Sequence, residues 1–384
     1  MISILKNMVH TGIANLPLHS GKAPKWLYRR MVGLSKSIIN VLIYEFGPDE
    51  FLERISDPFW FQALSCVLGF DWHSSGTTTV TCAAIAEALN PLEHGIAAAG
   101  GKGKNSRKTQ DQIEVIGDTL GLSSSRIRDL KYTSRMTAKI DNAAVQDGYN
   151  LYHHMLIFSD KGSWCVIQQG MNADNLYARR YHWFSKNLSS FILEPHSAIL
   201  GSRDNKPVLD MTSRESVETQ KMSVDLINDD PRHLQRDLLS LLKPSTQKTL
   251  DEFIGQGAEM KIPYLDMPRY INWNKLRKIY EFQPGNYEEF LSLDGVGPAT
   301  VRALALISDL IYGTKPSWMD PVKYSFAVGG KDGVPFPVDK IAMDETIEIL
   351  KQGVEEAYIG KREKMMALKR LRKIIPHSYE EKHN

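Results

Sequence analysis

The stretch "YNLYHHMLIFSDKGSWCVIQQGM" constrains the fold of this chain more than any other. Tyr149 to Ser159 and Trp164 to Gln169 are aromatic and β-branched runs separated by "DKG", which predicts a β-hairpin. Around it the apolar residues recur at three and four spacings instead. "WLYRRMVGLSKSIINVLIYEFG" predicts a helix that stops at Gly47-Pro48, and Asp57-Pro58 opens a second one in "DEFLERISDPFWFQALSCVLGF". Residues 1–200 therefore read as a mixed α/β domain with few strands.

Residues 201–250 are polar and weakly periodic, with "SRDNKP" and "NDDPRHLQRD" marking loops and helix starts, so a linker or helical bridge is expected there. From Asp251 onward the pattern is helical through "NWNKLRKIYEF", "NYEEFLSLDG", "PATVRALALISDLIYG" and "DETIEILKQGVEEAYIGKREKMMALKRLRKII". A glycine- and proline-rich insertion at Thr314 to Pro337 is expected to loop out. The expected fold class is α+β, with an all-α domain over 251–384.

The whole chain, 384 residues at 42% hydrophobic and 24% charged, has ample material for a core, which confines disorder to the ends. A net charge of +2 is too mild to argue for a polyanion partner, so charge distribution must decide. Three widely spaced cysteines, Cys66, Cys82 and Cys165, form no CxxC pair and fit a reducing cytosol. With no secretory leader pattern and no membrane-length apolar run, a cytoplasmic protein without a membrane partner is expected.

Eight of the eleven histidines and five of the seven tryptophans fall in residues 1–200, which marks that half as site-bearing. In "GGKGKNSRKT" the small residues and Lys102, Lys104, Arg107 and Lys108 suit a phosphate grip. P-loop spacing is absent, so nucleotide hydrolysis is not expected. In "AKIDNAAVQDGYNLYHH", Lys139, Asp141 and Asp147 precede a strand bearing His153 and His154. Paired carboxylates would supply oxygen ligands for Mg²⁺ or Mn²⁺, and the lysine a cation beside an attacking water, as phosphodiester cleavage needs. Asp71 and His73 in "FDWHSSG" form a second candidate pair of metal ligands. No E-x-K follows on a strand; Gln168-Gln169 stand in its place.

In "LDGVGPATVRAL", Gly295 and Gly297 permit close backbone approach, Val296 can plug the core, and Pro298 can open a helix without needing its N–H. The first-turn N–H groups of that helix then face outward with the positive end of the dipole behind them. The stretch resembles the helix-hairpin-helix motif, matching L-x-G-V-G-x-x-T through Thr300, with Arg302 one turn on. The resemblance implies binding to nucleic-acid backbone without base reading. The closing helix "KREKMMALKRLRK", including Arg370, would extend a phosphate track. In DNA glycosylases that share the hairpin an aspartate follows it, and Asp339 in "PFPVDKIAMDETIEIL" matches locally. Ala299 stands where lyase-active members carry a nucleophilic lysine, so Schiff-base chemistry is not expected.

Taken together, "TGIANLPLHSGKAPKWL", "SDPFWFQALSCVLGFDWHSSGTTT", "GGKGKNSRKT", "SRMTAKIDNAAVQDGYNLYHH" and the segments "QQGMN" and "RRYHWF" resemble the family called domain of unknown function 763. That resemblance implies an archaeal or bacterial cytosolic origin and no particular reaction. The expectation is a DNA-processing hydrolase, first a nuclease dependent on Mg²⁺ or Mn²⁺. A monofunctional DNA glycosylase using Asp339, and a non-catalytic DNA- or RNA-binding protein, are the alternatives.

Overall fold

The computed structural model describes residues 16–18, 23–69, 74–202, 207–242, 267–268, 272–322, 348, 350–356 and 360–374. Its helices begin and end where local chemistry dictates. Helix α1 (Lys25–Phe46) stops at Gly47, and Pro48 opens α2 (Pro48–Ser56) with Asp49 and Glu50 in its first turn. Asp57 then caps α3 (Pro58–Leu68) by accepting from the Trp60 N–H at 2.7 Å. Helix α4 (Ser75–Ala88) and the short α5 (Pro91–His94) complete this group.

The expected hairpin forms the centre of the sheet. Strands β4 (Asn150–Ser159) and β5 (Trp164–Asn172) pair antiparallel from Phe158 opposite Trp164 outward, and the Ser159 N–H donates to the Ser163 carbonyl across the turn. Strand β2 (Ile96–Lys102) pairs with β4, and β6 (Tyr177–Phe184) with β5. The outer edge of β6 is covered in two pieces, by β1 (Leu16–Pro17) and β7 (Ala198–Leu200). Two more short strands, β3 (Val145–Gln146) and β8 (Leu209–Asp210), pair separately.

Two strands correct the sequence reading. "AAAGGK", expected as part of a phosphate-gripping loop, runs as strand β2; Gly100 is needed there because a Cβ would lie 2.2 Å from the His154 carbonyl oxygen. "ARRYHWF", for which no strand was expected, is β6, and both of its arginines are wholly buried.

Helices cover both faces of the sheet. On one, α1 to α4 bury Leu42, Phe51, Phe61 and Ile85 against Met155, Ile157, Cys165 and Ile167, joined by Leu350, Val354 and Ala367. On the other lie α6 (Thr109–Thr119), α7 (Ser124–Lys139), α8 (Val217–Asn228) and α9 (Pro231–Leu242). Helices α10 (Trp273–Phe282), α11 (Tyr287–Ser292) and α12 (Pro298–Leu310) share that layer. Leu156, Val166 and Trp183 of the sheet sit in the same apolar cluster as Phe290, Val296, Leu304 and Ile307. The last described helix is α13 (Lys361–Ile374), so the C-terminal part is mostly helical and the fold as a whole mixes α and β. No described helix is long and apolar enough to cross a membrane.

Candidate functional site: a two-faced polar belt and a cationic turn

Antiparallel pairing puts His154, Gln168 and Tyr181 on one face of the sheet and His153, Gln169 and Arg180 on the other. Each face thus carries a polar row through an otherwise apolar core.

On the first face, a π-turn at Ile140–Ala144 brings Asp141 under the sheet. Its carboxylate accepts from Gln168 Nε2 at 2.5 Å, Trp183 Nε1 at 3.0 Å and His196 Nε2. Gln168 Oε1 can only accept, so it fixes the proton of His154 on Nδ1 (2.9 Å) and leaves Nε2 to receive the Ser134 hydroxyl, also at 2.9 Å. Burial lowers the pKa of His154, in keeping with this neutral tautomer. Asp147 has different partners. It accepts from Arg179 Nη1 at 2.9 Å, Tyr181 Oη at 2.7 Å and the Tyr149 N–H at 3.1 Å. Arg179 also forks onto Asp320 at 3.0 and 2.8 Å and lies 4.6 Å from the centre of the Tyr149 ring. Burial works against the Arg179 charge, yet the two carboxylates overcome it and hold the guanidinium above its ordinary pKa.

The opposite face is less complete. A register shift between Leu151 and His153 lets the Tyr152 hydroxyl reach Gln169 Nε2 while His153 stands directly opposite Gln169. Gln169 Nε2 also donates to the Ser75 carbonyl at 2.8 Å, tying the start of α4 to the sheet. Arg180 donates to Gln62 Oε1 at 3.1 Å and lies 4.6 Å from the Phe61 ring centre; among the described residues it meets no carboxylate. Burial pushes its pKa down to about 10, opposed only by the thiols of Cys82 and Cys66. Both ring nitrogens of His153 lack a partner among the described residues, and burial, with His154 and Lys102 adding to it, pushes that imidazole to about 3.

Lys102 ends β2 beside His153, with its ammonium 5.7 Å from the Tyr152 ring centre. A 3₁₀ turn, Gly103–Lys108, follows, and Lys102, Lys104, Arg107 and Lys108 are all exposed on it or at its start.

At the glycine turn, α11 ends at Ser292 and α12 begins at Pro298. Gly295 takes a φ of +90°, Val296 is buried, and Gly297 caps α12 without any side-chain hydrogen bond to its first turn. Lys139 Nζ donates to the Leu293 carbonyl at 3.0 Å, which fastens the turn to the end of α7. Gln146 Nε2 donates to the Pro298 carbonyl at 2.8 Å and its Oε1 accepts from Arg302 at 3.2 Å. Thr300 is buried. Burial lowers the Lys139 pKa, Asp294 opposes this, and Lys275 and Arg135 add to it; Lys139 from α7 and Lys275 from α10 both lie against the turn. Asp294, fully exposed, lies 3.7 Å from Lys275.

The sequence candidates are thus distributed, not gathered. Asp141 and Asp147 hold separate sets of donors, Lys139 serves the glycine turn, and His153 and His154 point to opposite faces. Arg370 lies on α13 and donates to the Val67 carbonyl at the end of α3, in the helical layer across the sheet from the turn. Asp71, His73 and Asp339 lie outside the described residues. Among the described residues no three His, Cys, Asp or Glu side chains are grouped to hold a metal ion.

The family model described as Protein of unknown function (DUF763) matches residues 12–338. The chain belongs to the DUF763 family. No match was found among curated proteins or among solved structures.

In this DUF763 chain, sequence reasoning missed Arg179 and Arg180 within the sheet, His196 and Asp320 packed against it, and Lys275 beside the turn. "ARRYHWF" did carry a usable signal: the aromatic β-formers that follow its arginines mark a strand, in which consecutive residues lie on opposite faces. Lys275 carries none, because it reaches the turn from a separate helix.

Proposed function

We propose that this protein docks on the phosphate backbone of DNA through the turn between α11 and α12, as the binding step of a DNA-processing activity. One observation carries the reading. The first turn of α12 has no side-chain cap, and Lys139 and Lys275 lie against the glycine turn that leads into it. Unsatisfied N–H groups at a positive helix end, with added cations, favour a phosphate oxygen. Backbone contacts of this kind give affinity without base reading and weaken with salt.

Gly297 supplies the test. A Cβ there meets nothing within 4 Å and the backbone is extended, so Gly297→Asp is sterically accommodated. Its carboxylate caps α12 from within, adding a few tenths of a kcal/mol of stability while filling the place of a phosphate. The expected result is a higher melting temperature with weaker binding of a labelled DNA duplex by fluorescence anisotropy. Unchanged affinity in the folded variant overturns the reading.

Hydrolysis of the bound strand with Mg²⁺ or Mn²⁺ is the second reading, and His153 favours it. A buried neutral imidazole with both nitrogens unpartnered among the described residues, beside the exposed cation Lys102, suits a ligand or proton-transfer role. Labelled oligonucleotides incubated with Mg²⁺, Mn²⁺ or chelator, resolved before and after alkali, test it. Metal-dependent scission lost in His153→Gln, with duplex affinity retained, is expected. Breaks that appear only after alkali would instead select base removal and direct attention to Asp339.

A further inference from the structure

A cavity of about 290 Å³ lies between the start of α1, the end of α3 and α13, in the helical layer across the sheet from the glycine turn. Leu34, Leu68 and Met366 give it apolar walls. Its charged lining is unbalanced, with Arg30, Arg362 and Arg370 against the single carboxylate of Glu363. That carboxylate is already engaged by Arg30 at 3.2 Å. Arg370 is half-buried and donates to the Val67 carbonyl at 3.2 Å; among the described residues it has no acidic partner, and Arg362 shares the Glu363 carboxylate with Arg30. Burial accordingly lowers the Arg370 pKa. Trp26 stands at the rim, 61% exposed, with the Arg30 guanidinium 5.6 Å from its ring centre.

We propose that this cavity binds a nucleoside monophosphate or a ligand of that class. Uncompensated guanidinium groups select an anion, and their planar forks suit the oxygens of a phosphate. An exposed indole beside apolar walls offers a stacking surface for a flat ring, whereas an anion alone would need neither. The volume, at the lower end of ligand pockets, admits one such unit and not an extended chain. The site is separate from the glycine turn, and its occupancy does not depend on DNA binding there.

The test is a titration of the full-length protein with adenosine monophosphate, adenosine, inorganic phosphate and decanoate, by calorimetry and by the tryptophan fluorescence lost in Trp26→Phe. Adenosine monophosphate is expected to bind and to quench Trp26, with adenosine and inorganic phosphate each at least about tenfold weaker. Arg362→Glu, an exposed change that should leave the melting temperature in place, is expected to weaken the nucleotide about tenfold while leaving adenosine unaffected. Binding of decanoate in preference to the nucleotide, binding of phosphate as tight as the nucleotide, or no binding of the nucleotide overturns the proposal.

Discussion

Arg179 and Arg180 are consecutive residues of one strand, both wholly buried, and the two faces of the sheet treat them in opposite ways. Arg179 meets two carboxylates, a carbonyl and an aromatic ring; Arg180 meets an amide, a hydroxyl and an aromatic ring. The first face is a closed network in which each acid has its donors. The second keeps a cation without an acid and an imidazole without a partner among the described residues. Buried polar groups in the first state specify a fold. Groups in the second retain capacity for something else to bind.

The largest effect that separates the faces is expected from the arginines themselves. Arg179→Met leaves Asp147 and Asp320 buried without their cation and should lose about 3–5 kcal/mol in urea unfolding. Arg180→Met removes a charge that no acid compensates, and should change stability by less than about 1 kcal/mol. Equal losses would erase the distinction.

Next comes acidity. Burial depresses the folded pKa of His153 to about 3 and also lowers those of His154 and His182. On acidification the unfolded chain therefore takes up these protons first. Their contribution to stability is full above about pH 6.5 and shrinks as pH falls below it, by about 1.4 kcal/mol per pH unit for each imidazole while its folded form stays neutral. His153→Gln should flatten the fall seen in unfolding curves between about pH 6 and pH 4 relative to the unaltered chain. An identical fall in both would show that His153 is not held neutral.

The smallest effect lies in the glycine turn. Gly295 has a φ of +90°, and a Cβ there would stand 2.4 Å from the Cδ and 2.9 Å from the Cβ of Lys275, so the backbone of α10 must give as well as the side chain. Gly295→Ala should cost about 1–2 kcal/mol, chiefly from the backbone, and displace one of the turn's cations. Thermal melting beside Gly297→Asp checks that the two glycines have opposite signs.

Local signals made part of this molecule legible. The β4–β5 hairpin followed from alternation and "DKG", and the breaks at Gly47-Pro48 and Asp57-Pro58 from cap and proline chemistry. Strand β2 was hidden because alanine and glycine have weak strand character; it persists because His154 and its neighbours pair with it. The polar strings around Asp141, His154 and Gln168 stand out in the sequence, but not the partners their side chains take. Asp141 finds its donors 27 to 55 residues along the chain, a distance over which spacing says nothing. The glycine turn was visible in the sequence from Gly295 and Gly297, while Lys275 reaches it only through packing.

The most direct test of the account is amide hydrogen exchange on the intact protein with and without duplex DNA at low salt. Slower exchange at residues 293–301 and along the end of α7, relieved by added salt, is the predicted result. Exchange unchanged there while DNA is bound, with protection confined to other segments, would contradict it.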